Sequence, residues 1–467
     1  MVLYKPYNYQ QKVYDETMAL INNGERSVVV QMATRSGKSI VALLLIEYFS
    51  VIMKESVYFV GHTNILLTQM SDDLVTNGIQ HGIIAPWAPQ LKYRVQVISK
   101  DTLFNRYKKM KETGWKNPRI IIVDECHISM SARYKEILDS YPDSILIGLS
   151  ATPIRLDGKG LNAIYKNMVQ GPSIKDLQNI KRLCPIDTFA VEFDDSGLKT
   201  SHGDYNRSDV LGRVDKPQIL KDIVKHWELL AKNKKTLTFC ASIKHAQDMA
   251  EEFNAAGYSS VAISSKDGKK EIDRKIAAYY AGEYINLCSV NLFIMGFTVK
   301  DCECIIQARP TKSLMIYMQS LGRGMMFIPE KMLINIDAVN NYDRLGMPDD
   351  DRTWMLKGKT KTDKGTITLK RCPECLRPVN IGVRVCPFCE FVWPETTVDR
   401  IPEEKAGQLV NVRDRVEKQD LVLAIGRGAH NLKEAIKIAK QQGLKHTEAY
   451  DVWTRILKNE VHEVVKF

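Results

Sequence analysis

The chain has 467 residues, with Lys plus Arg numbering 66, Asp plus Glu 55, and a net charge of +11. At ~150 residues per domain this length asks for two or three domains, and 44% apolar with 26% charged residues excludes a mainly disordered chain. The positive charge is compatible with a polyanionic partner, and equally with a need for solubility alone. The longest apolar stretch that suggests a membrane span, Val41 to Met53, is short and interrupted by Glu47, so no membrane partner is expected. The N-terminus, Met1-Val2-Leu3-Tyr4-Lys5-Pro6, lacks the basic-then-apolar pattern of a signal peptide, so a cytoplasmic location is expected.

Short apolar runs alternate with amphipathic segments from about residue 25 to 185. Ser27 to Val30, Val57 to Val60, Val95 to Ile98, Ile120 to Val123 and Ile145 to Leu149 read as strands, and Lys38 to about Tyr48 as a helix. Near-continuous apolar strands separated by helices predict a parallel sheet buried on both faces. The alternation restarts after about residue 186. Its strands are Thr236 to Phe239, Ser260 to Ile263, Ile285 to Cys288, Glu303 to Ile306 and Leu333 to Ile336, with a helix over His245 to Ala256. Asp194 to Asp209 reads as a polar surface loop. The fold class is therefore α/β, with one domain over 1–185 and a second over 186–350. Residues 346–371, rich in Asp, Lys, Gly and Thr, read as a linker or extended segment. A cysteine-bearing module follows over 365–395, then a region with helical spacing over 396–467.

Residues 32 to 39 read Met-Ala-Thr-Arg-Ser-Gly-Lys-Ser. The first glycine of the strict phosphate-loop pattern is replaced by Met32, but Gly37-Lys38-Ser39 remains between a strand and a helix. Backbone N–H groups at such a helix start can face phosphate oxygens. Lys38 would reach the β/γ-phosphates, Ser39 would hold Mg²⁺, and Thr34, Arg35 and Ser36 complete the loop. Downstream, the strand Ile120 to Val123 runs directly into Asp124-Glu125-Cys126-His127. Of two adjacent carboxylates at a strand end, one can hold the Mg²⁺ shell while its neighbour polarises an attacking water.

Asp124-Glu125-Cys126-His127 resembles the DExH box of superfamily 2 helicases and translocases, and further signatures of that family follow in order. Tyr9-Gln10-Gln11 resembles the motif that reads adenine. Val60 to Gln69 is similar to motif Ia, Ile98 to Leu103 to motif Ib, and Leu149-Ser150-Ala151-Thr152-Pro153 to motif III. Thr236 to His245 resembles motif IV, Gly296-Phe297 motif V, and Gln319 to Gly324 motif VI. Ala308 to Ser313 and Gly203 to Asn206 resemble phage, prophage and restriction-type DNA helicases, with a phage branch-migration helicase as the nearest kind. The resemblance implies two RecA-like domains around a cleft.

In that frame ATP is bound by Gln10, residues 34 to 39 and Asp124, with catalysis by Lys38, Asp124, Glu125, His127, Gln319 and Arg323. Ser150, Ala151 and Thr152 couple the nucleotide to a strand held by Thr63, Ser99, Thr102, Ser242 and Lys312. The implied partner is single-stranded, duplex or branched DNA in phage replication, recombination or repair, in the cytoplasm of an infected host; RNA remains open. A nucleic-acid-binding module that hydrolyses ATP weakly, and the motor subunit of a restriction system, are the alternatives. Oligomeric state is not readable. Relatives carry arginines where Ser320 and Met326 stand and a glycine where Arg35 stands.

Of ten cysteines, Cys126, Cys184, Cys240, Cys288, Cys302 and Cys304 lie in apolar surroundings and read as small core residues. Cys372-Pro-Glu-Cys375 and Cys386-Pro-Phe-Cys389 are two C-x-x-C pairs. Each pair supplies half of a tetrahedral shell, so the four predict a structural Zn²⁺ site, beside which Lys370, Arg371, Arg377 and Arg384 would favour the thiolates. Lys433, Lys437, Lys440 and Lys445 in the tail read as a solvated helical face.

Overall fold

The computed structural model describes residues 5–127, 132–155, 158–191, 193–201, 203–290, 301–358, 369–371, 378–380, 383–386, 390–393 and 410–411. The chain forms two compact units, Met1–Ile186 with Glu192–Lys364, and Asp187–Val191 with Gly365–Phe467.

The first unit opens with helix α1 (Asn8–Asn22), β1 (Ser27–Gln31), α2 (Lys38–Glu47), β2 (Val57–Gly61), α3 (Asn64–Thr76) and β3 (His81–Ile84). It continues through β4 (Val95–Ser99), α4 (Lys100–Glu112), β5 (Ile120–Val123), α5 (Ala132–Asp139), β6 (Ile145–Ser150) and β7 (Asn167–Gln170). The strands form one parallel sheet in the order β3-β4-β2-β5-β6-β1-β7. Side chains alternate across a strand, and both faces are buried. Val28, Val30, Phe59, Ile120 and Ile122 pack on one face with residues of α1, α2 and α3. Val29, Tyr58, Val60, Ile121 and Val123 pack on the other with α4 and α5. That two-sided burial is why the strands read as unbroken apolar runs.

Next come α6 (Ile174–Asn179), β8 (Ile186–Ala190), the hairpin of β9 (Thr200–Ser201) and β10 (Asp204–Tyr205), α7 (Arg207–Val214) and α8 (Pro217–Ala231). A second parallel sheet holds β12 (Ser260–Ile263), β13 (Asn286–Ser289), β11 (Thr236–Phe239), β14 (Cys304–Gln307) and β15 (Leu333–Asp337), in that order. Helices α9 (Ile243–Ala255), α10 (Lys269–Ala281) and α11 (Leu314–Gly322) connect its strands, and α12 (Asn341–Leu345) follows it. Trp227 is buried in edge contact with Phe253 and Tyr258, and its indole N–H donates to Thr236 Oγ1 at 2.7 Å. Two RecA-like parallel-sheet lobes are thus present as expected, and the six scattered cysteines are all buried.

One sequence expectation needs correction: the polar stretch read as a loop over Asp194 to Asp209 contains the β9–β10 hairpin and the start of α7. The helix read to about Tyr48 ends at Glu47 and runs on into a π-helical turn, Tyr48–Ile52. Within the segment read as linker or extended chain, residues 352–358 reach the first lobe. The Leu356 carbonyl accepts from the Leu161 and Asn162 N–H groups at 2.7 and 3.0 Å, and Leu356 packs on that lobe's core. The polar average of the segment hid the consecutive apolar residues Trp354, Met355 and Leu356.

In the second unit β8 pairs antiparallel with β18 (Val410–Asn411), and β16 (Leu369–Arg371) with β17 (Pro378–Asn380). Val385 bridges Val392, and buried Cys386 donates its N–H to Phe391 O at 2.7 Å. Cys372, Cys375, Cys389, the Gly296-Phe297 motif and the tail region lie outside the described residues. Among the described residues, no helix is long and apolar enough to cross a membrane.

Candidate active site

The carboxyl ends of the first sheet carry most of the candidate residues, which is where open parallel sheets bind ligands. After β1 the chain turns through Arg35 at φ 67 and Gly37 at φ 86 into α2, which has no side-chain cap. Its first N–H groups are therefore available to an anion. A Cβ at Gly37 would meet only the movable end of the Gln10 side chain, 2.2 Å away, so it is the left-handed conformation that calls for glycine here. Gln10 is buried, donating to Ser36 O at 3.0 Å and accepting from Tyr7 N–H at 2.9 Å. Its amide is thus turned onto the loop. Tyr9 Oη also donates to Ser36 O, at 2.9 Å. Ser36 is buried, donating to Ala33 O at 2.6 Å, and Ser39 is exposed. Lys38 Nζ lies 3.5 Å from Met32 O.

Asp124 and Glu125 follow β5. Glu125 sits at φ 49, a left-handed conformation that costs a non-glycine residue ~1–3 kcal/mol and clusters at functional sites. Asp124 Oδ1 accepts the Glu125 N–H at 3.0 Å. Burial, then the neighbouring Glu125 charge, pushes the Asp124 carboxyl up to about 7, against the pull of Lys38. Burial also raises Glu125, opposed by Lys38, Arg323 and Gln319. Glu125 Oε2 lies 3.4 Å from His127 Nδ1, yet accepts no hydrogen bond among the described residues. Such an orphaned buried oxygen fits a water or a bound group. His127 is buried, its pKa lowered to about 4 by burial and then by Lys38, so it is neutral at pH 7. Its Nδ1 also lies 3.3 Å from Ser150 Oγ, which accepts the Thr152 N–H at 3.2 Å. Ala151 O accepts from Gln31 Nε2 at 3.0 Å. Hydrogen bonds therefore join His127 to Ser150 and Ser150 to Thr152, with Glu125 Oε2 beside the imidazole.

The other wall of the site is α11. Gln319 is buried, and its side chain and the Arg323 guanidinium both favour the charged Glu125 carboxylate. Burial, then Arg35, lowers the Arg323 pKa to about 10, against the pull of Glu125. Ser320 is a core anchor. It accepts from Gln307 Nε2 and donates to Tyr317 O, both at 2.7 Å. Met325 is fully buried, while half-buried Met326 bridges Leu183. Met325 thus packs in the second lobe's core, while Met326 pairs through its backbone.

The candidates for a strand-binding surface act largely through helix starts. Thr63 Oγ1 accepts from Leu66 N–H as the cap of α3, and Ser242 Oγ accepts from His245 N–H as the cap of α9. Ser99 is the N-cap residue of α4, and Thr102 is buried one turn in. Exposed Lys312 places its ammonium 4.9 Å from the Tyr205 ring centre and donates its backbone N–H to Asp204 Oδ1 at 2.8 Å. Sequence reasoning missed Arg182, whose guanidinium lies 3.5 Å over the Tyr7 ring. It carries no motif, and only folding brings it to the N-terminal aromatics. Arg35, expected among the nucleotide-binding residues, donates to Gly322 O at 3.0 Å and Arg323 O at 3.3 Å.

Residues 3–155 match the family described as type III restriction enzyme, res subunit, and residues 215–326 match the helicase conserved C-terminal domain. A 51.5 kDa protein of Lactococcus phage (isolate 7-9) is 30% identical over 369 residues, 77% of each chain. A Saccharomyces cerevisiae protein named ATP-dependent helicase IRC3 is 26% identical, over 68% of this chain and 49% of its own. Among solved structures, a fragment described as an HsdR subunit of a type I restriction enzyme from Vibrio vulnificus YJ016 superposes with a TM-score of 0.58. It is 19% identical, over 75% of this chain and 67% of that one.

Proposed function

We propose that this protein is a DNA-dependent motor, and the premise is its family: the chain belongs to the superfamily 2 helicases and translocases, enzymes that hydrolyse ATP. The observation that carries the reading is that the phosphate loop meets α11, Arg35 donating to Gly322 O at 3.0 Å and Arg323 O at 3.3 Å, beside a Glu125 carboxylate on which Lys38 of its own lobe and Gln319 and Arg323 of the other act electrostatically. Hydrolysis is thereby tied to how the two lobes meet. The α2 start and Lys38 bind the phosphates; Asp124 and Ser39 would hold Mg²⁺, which supplies charge neutralisation when bound with ATP. Glu125 Oε2 takes the proton of the attacking water, and Gln319 orients that carboxylate. Arg323 stabilises charge as the phosphoryl group departs. The path through His127 to Ser150 and Thr152 passes the state of the site to the helix starts capped by Thr63 and Ser242, where N–H groups suit a phosphate backbone.

DNA is favoured over RNA by the likeness to restriction-enzyme subunits, and a role in phage replication or recombination, in the cytoplasm of the infected host, by the phage relative. The domain limits proposed are 1–185 and 186–350, with 352–358 added to the first as a returning strap. Cys372, Cys375, Cys386 and Cys389 are assigned to structural Zn²⁺. The support is the sequence spacing, two C-x-x-C pairs that can each supply half of a tetrahedral thiolate shell; strands β16 and β17 lie on either side of the first pair in the chain. The test is phosphate release with and without DNA in wild type, Lys38→Ala and Glu125→Gln. DNA stimulation in wild type alone supports the motor; wild-type turnover in either variant refutes the site.

A further inference from the structure

Arg35 occupies a left-handed position, φ 67, where glycine is the unstrained choice. A long cation is held there against that cost, so its side chain needs a use. The guanidinium crosses to the second lobe and donates to Gly322 O at 3.0 Å and Arg323 O at 3.3 Å. Those carbonyls belong to the C-terminal end of α11, where helix carbonyls lack intrahelical donors and the helix dipole attracts a cation. The adjoining carbonyls are held from within the second lobe and its approach. Lys331 Nζ donates to Gly324 O at 2.7 Å and Met326 O at 3.3 Å, and Cys184 N–H to Met325 O at 3.1 Å. The carbonyls from 322 to 326 are thus each engaged, and the two nearest the active site take a donor from the phosphate loop itself.

We infer that Arg35 is a positioning residue: it caps α11 across the cleft and so sets the Arg323 guanidinium against Glu125. It does so from the loop that holds ATP, so phosphate binding and Arg323 placement share one rigid element. Ser320 and Met326 supply no charge, so the arrangement fixes the one cation at the end of α11. Arg35 acts through Arg323 and need not touch substrate. This rests on the assignment of Arg323 to transition-state stabilisation made above.

The experiment measures kcat and KM for ATP, at saturating DNA, in full-length wild type, Arg35→Gly, Arg35→Lys, Arg323→Ala and the Arg35→Gly/Arg323→Ala double variant. Arg35→Gly restores an unstrained loop, so misfolding is not its expected defect. It should lose about tenfold or more in kcat, ~1.4 kcal/mol, with KM changed less than about threefold, and Arg35→Lys should recover part of the loss. The double variant should be no slower than Arg323→Ala alone, the signature of residues acting as a unit. An unchanged kcat in Arg35→Gly, or losses that multiply in the double variant, would overturn the inference while leaving the role of Arg323 intact. An unchanged kcat in Arg323→Ala would instead overturn the assignment on which it rests.

Discussion

Gly322 and Thr34 meet across the cleft so closely that a Cβ on Gly322 would stand 2.3 Å from Thr34 Cγ2 and 2.8 Å from Thr34 Cβ. Gly322 ends α11 and does not sit at positive φ. Alanine there would by propensity help a helix by ~1 kcal/mol. A loss in Gly322→Ala therefore reports the contact between the lobes and not the helix.

Gly322→Ala should keep its ATP affinity within about threefold and lose about tenfold or more in DNA-stimulated turnover, ~1.4 kcal/mol. Overpacking of this kind costs ~1–3 kcal/mol, here charged against the closed cleft. ATP titration with steady-state hydrolysis checks it; wild-type turnover would mean that the lobes separate here during the cycle.

Glu125→Gln should bind ATP and stall. The amide keeps the shape, but cannot take a proton from water. Single-turnover hydrolysis should fall by about a hundredfold or more, the scale of general-base loss, with nucleotide binding retained. Loss of binding in step with turnover would place Glu125 in ATP contact instead.

How much of this could be read from the chain differs between its parts. The parallel sheets were legible because two-sided burial writes itself as unbroken apolar strands, as in Ile120–Val123. Lys38, Asp124 and Glu125 were legible because their chemistry needs fixed neighbours: a glycine turn, a helix start, a strand end. The contacts between distant parts of the chain were not. Arg35 to Gly322, Arg182 over Tyr7 and Leu356 on Leu161 join positions far apart in the chain, and no local period encodes them. The edge strands β3 and β7 were missed because they are short and incompletely buried.

Acid should destabilise the folded protein through its buried histidines. Burial holds His62, His127 and His245 each at about 4, below the usual 6.5. The unfolded chain therefore binds more protons between those values, so their contribution is complete above pH 6.5 and lost as pH falls toward 4. Each such group costs ~2 kcal/mol by pH 5. Thermal unfolding should show a falling Tm from pH 7 to 5, with a shallower slope in His127→Asn. An equal slope in that variant would mean that His127 titrates freely in the fold.

Removing zinc should release one metal ion per chain, and changing Cys372, Cys375, Cys386 or Cys389 to Ser should destabilise the second unit, since small modules of this kind take most of their stability from the metal. Basal hydrolysis should persist better than DNA binding. Elemental analysis finding no zinc, or iron alone, would replace the assignment.

The most direct test of the motor itself is phosphate release with single-stranded DNA, duplex DNA, a four-way junction and RNA in parallel, each with Lys38→Ala as control. The account predicts hydrolysis that rises at least about tenfold, ~1.4 kcal/mol, with one or more of the DNAs, less with RNA, and not at all in Lys38→Ala. Hydrolysis that ignores DNA, or that rises with RNA alone, would contradict it.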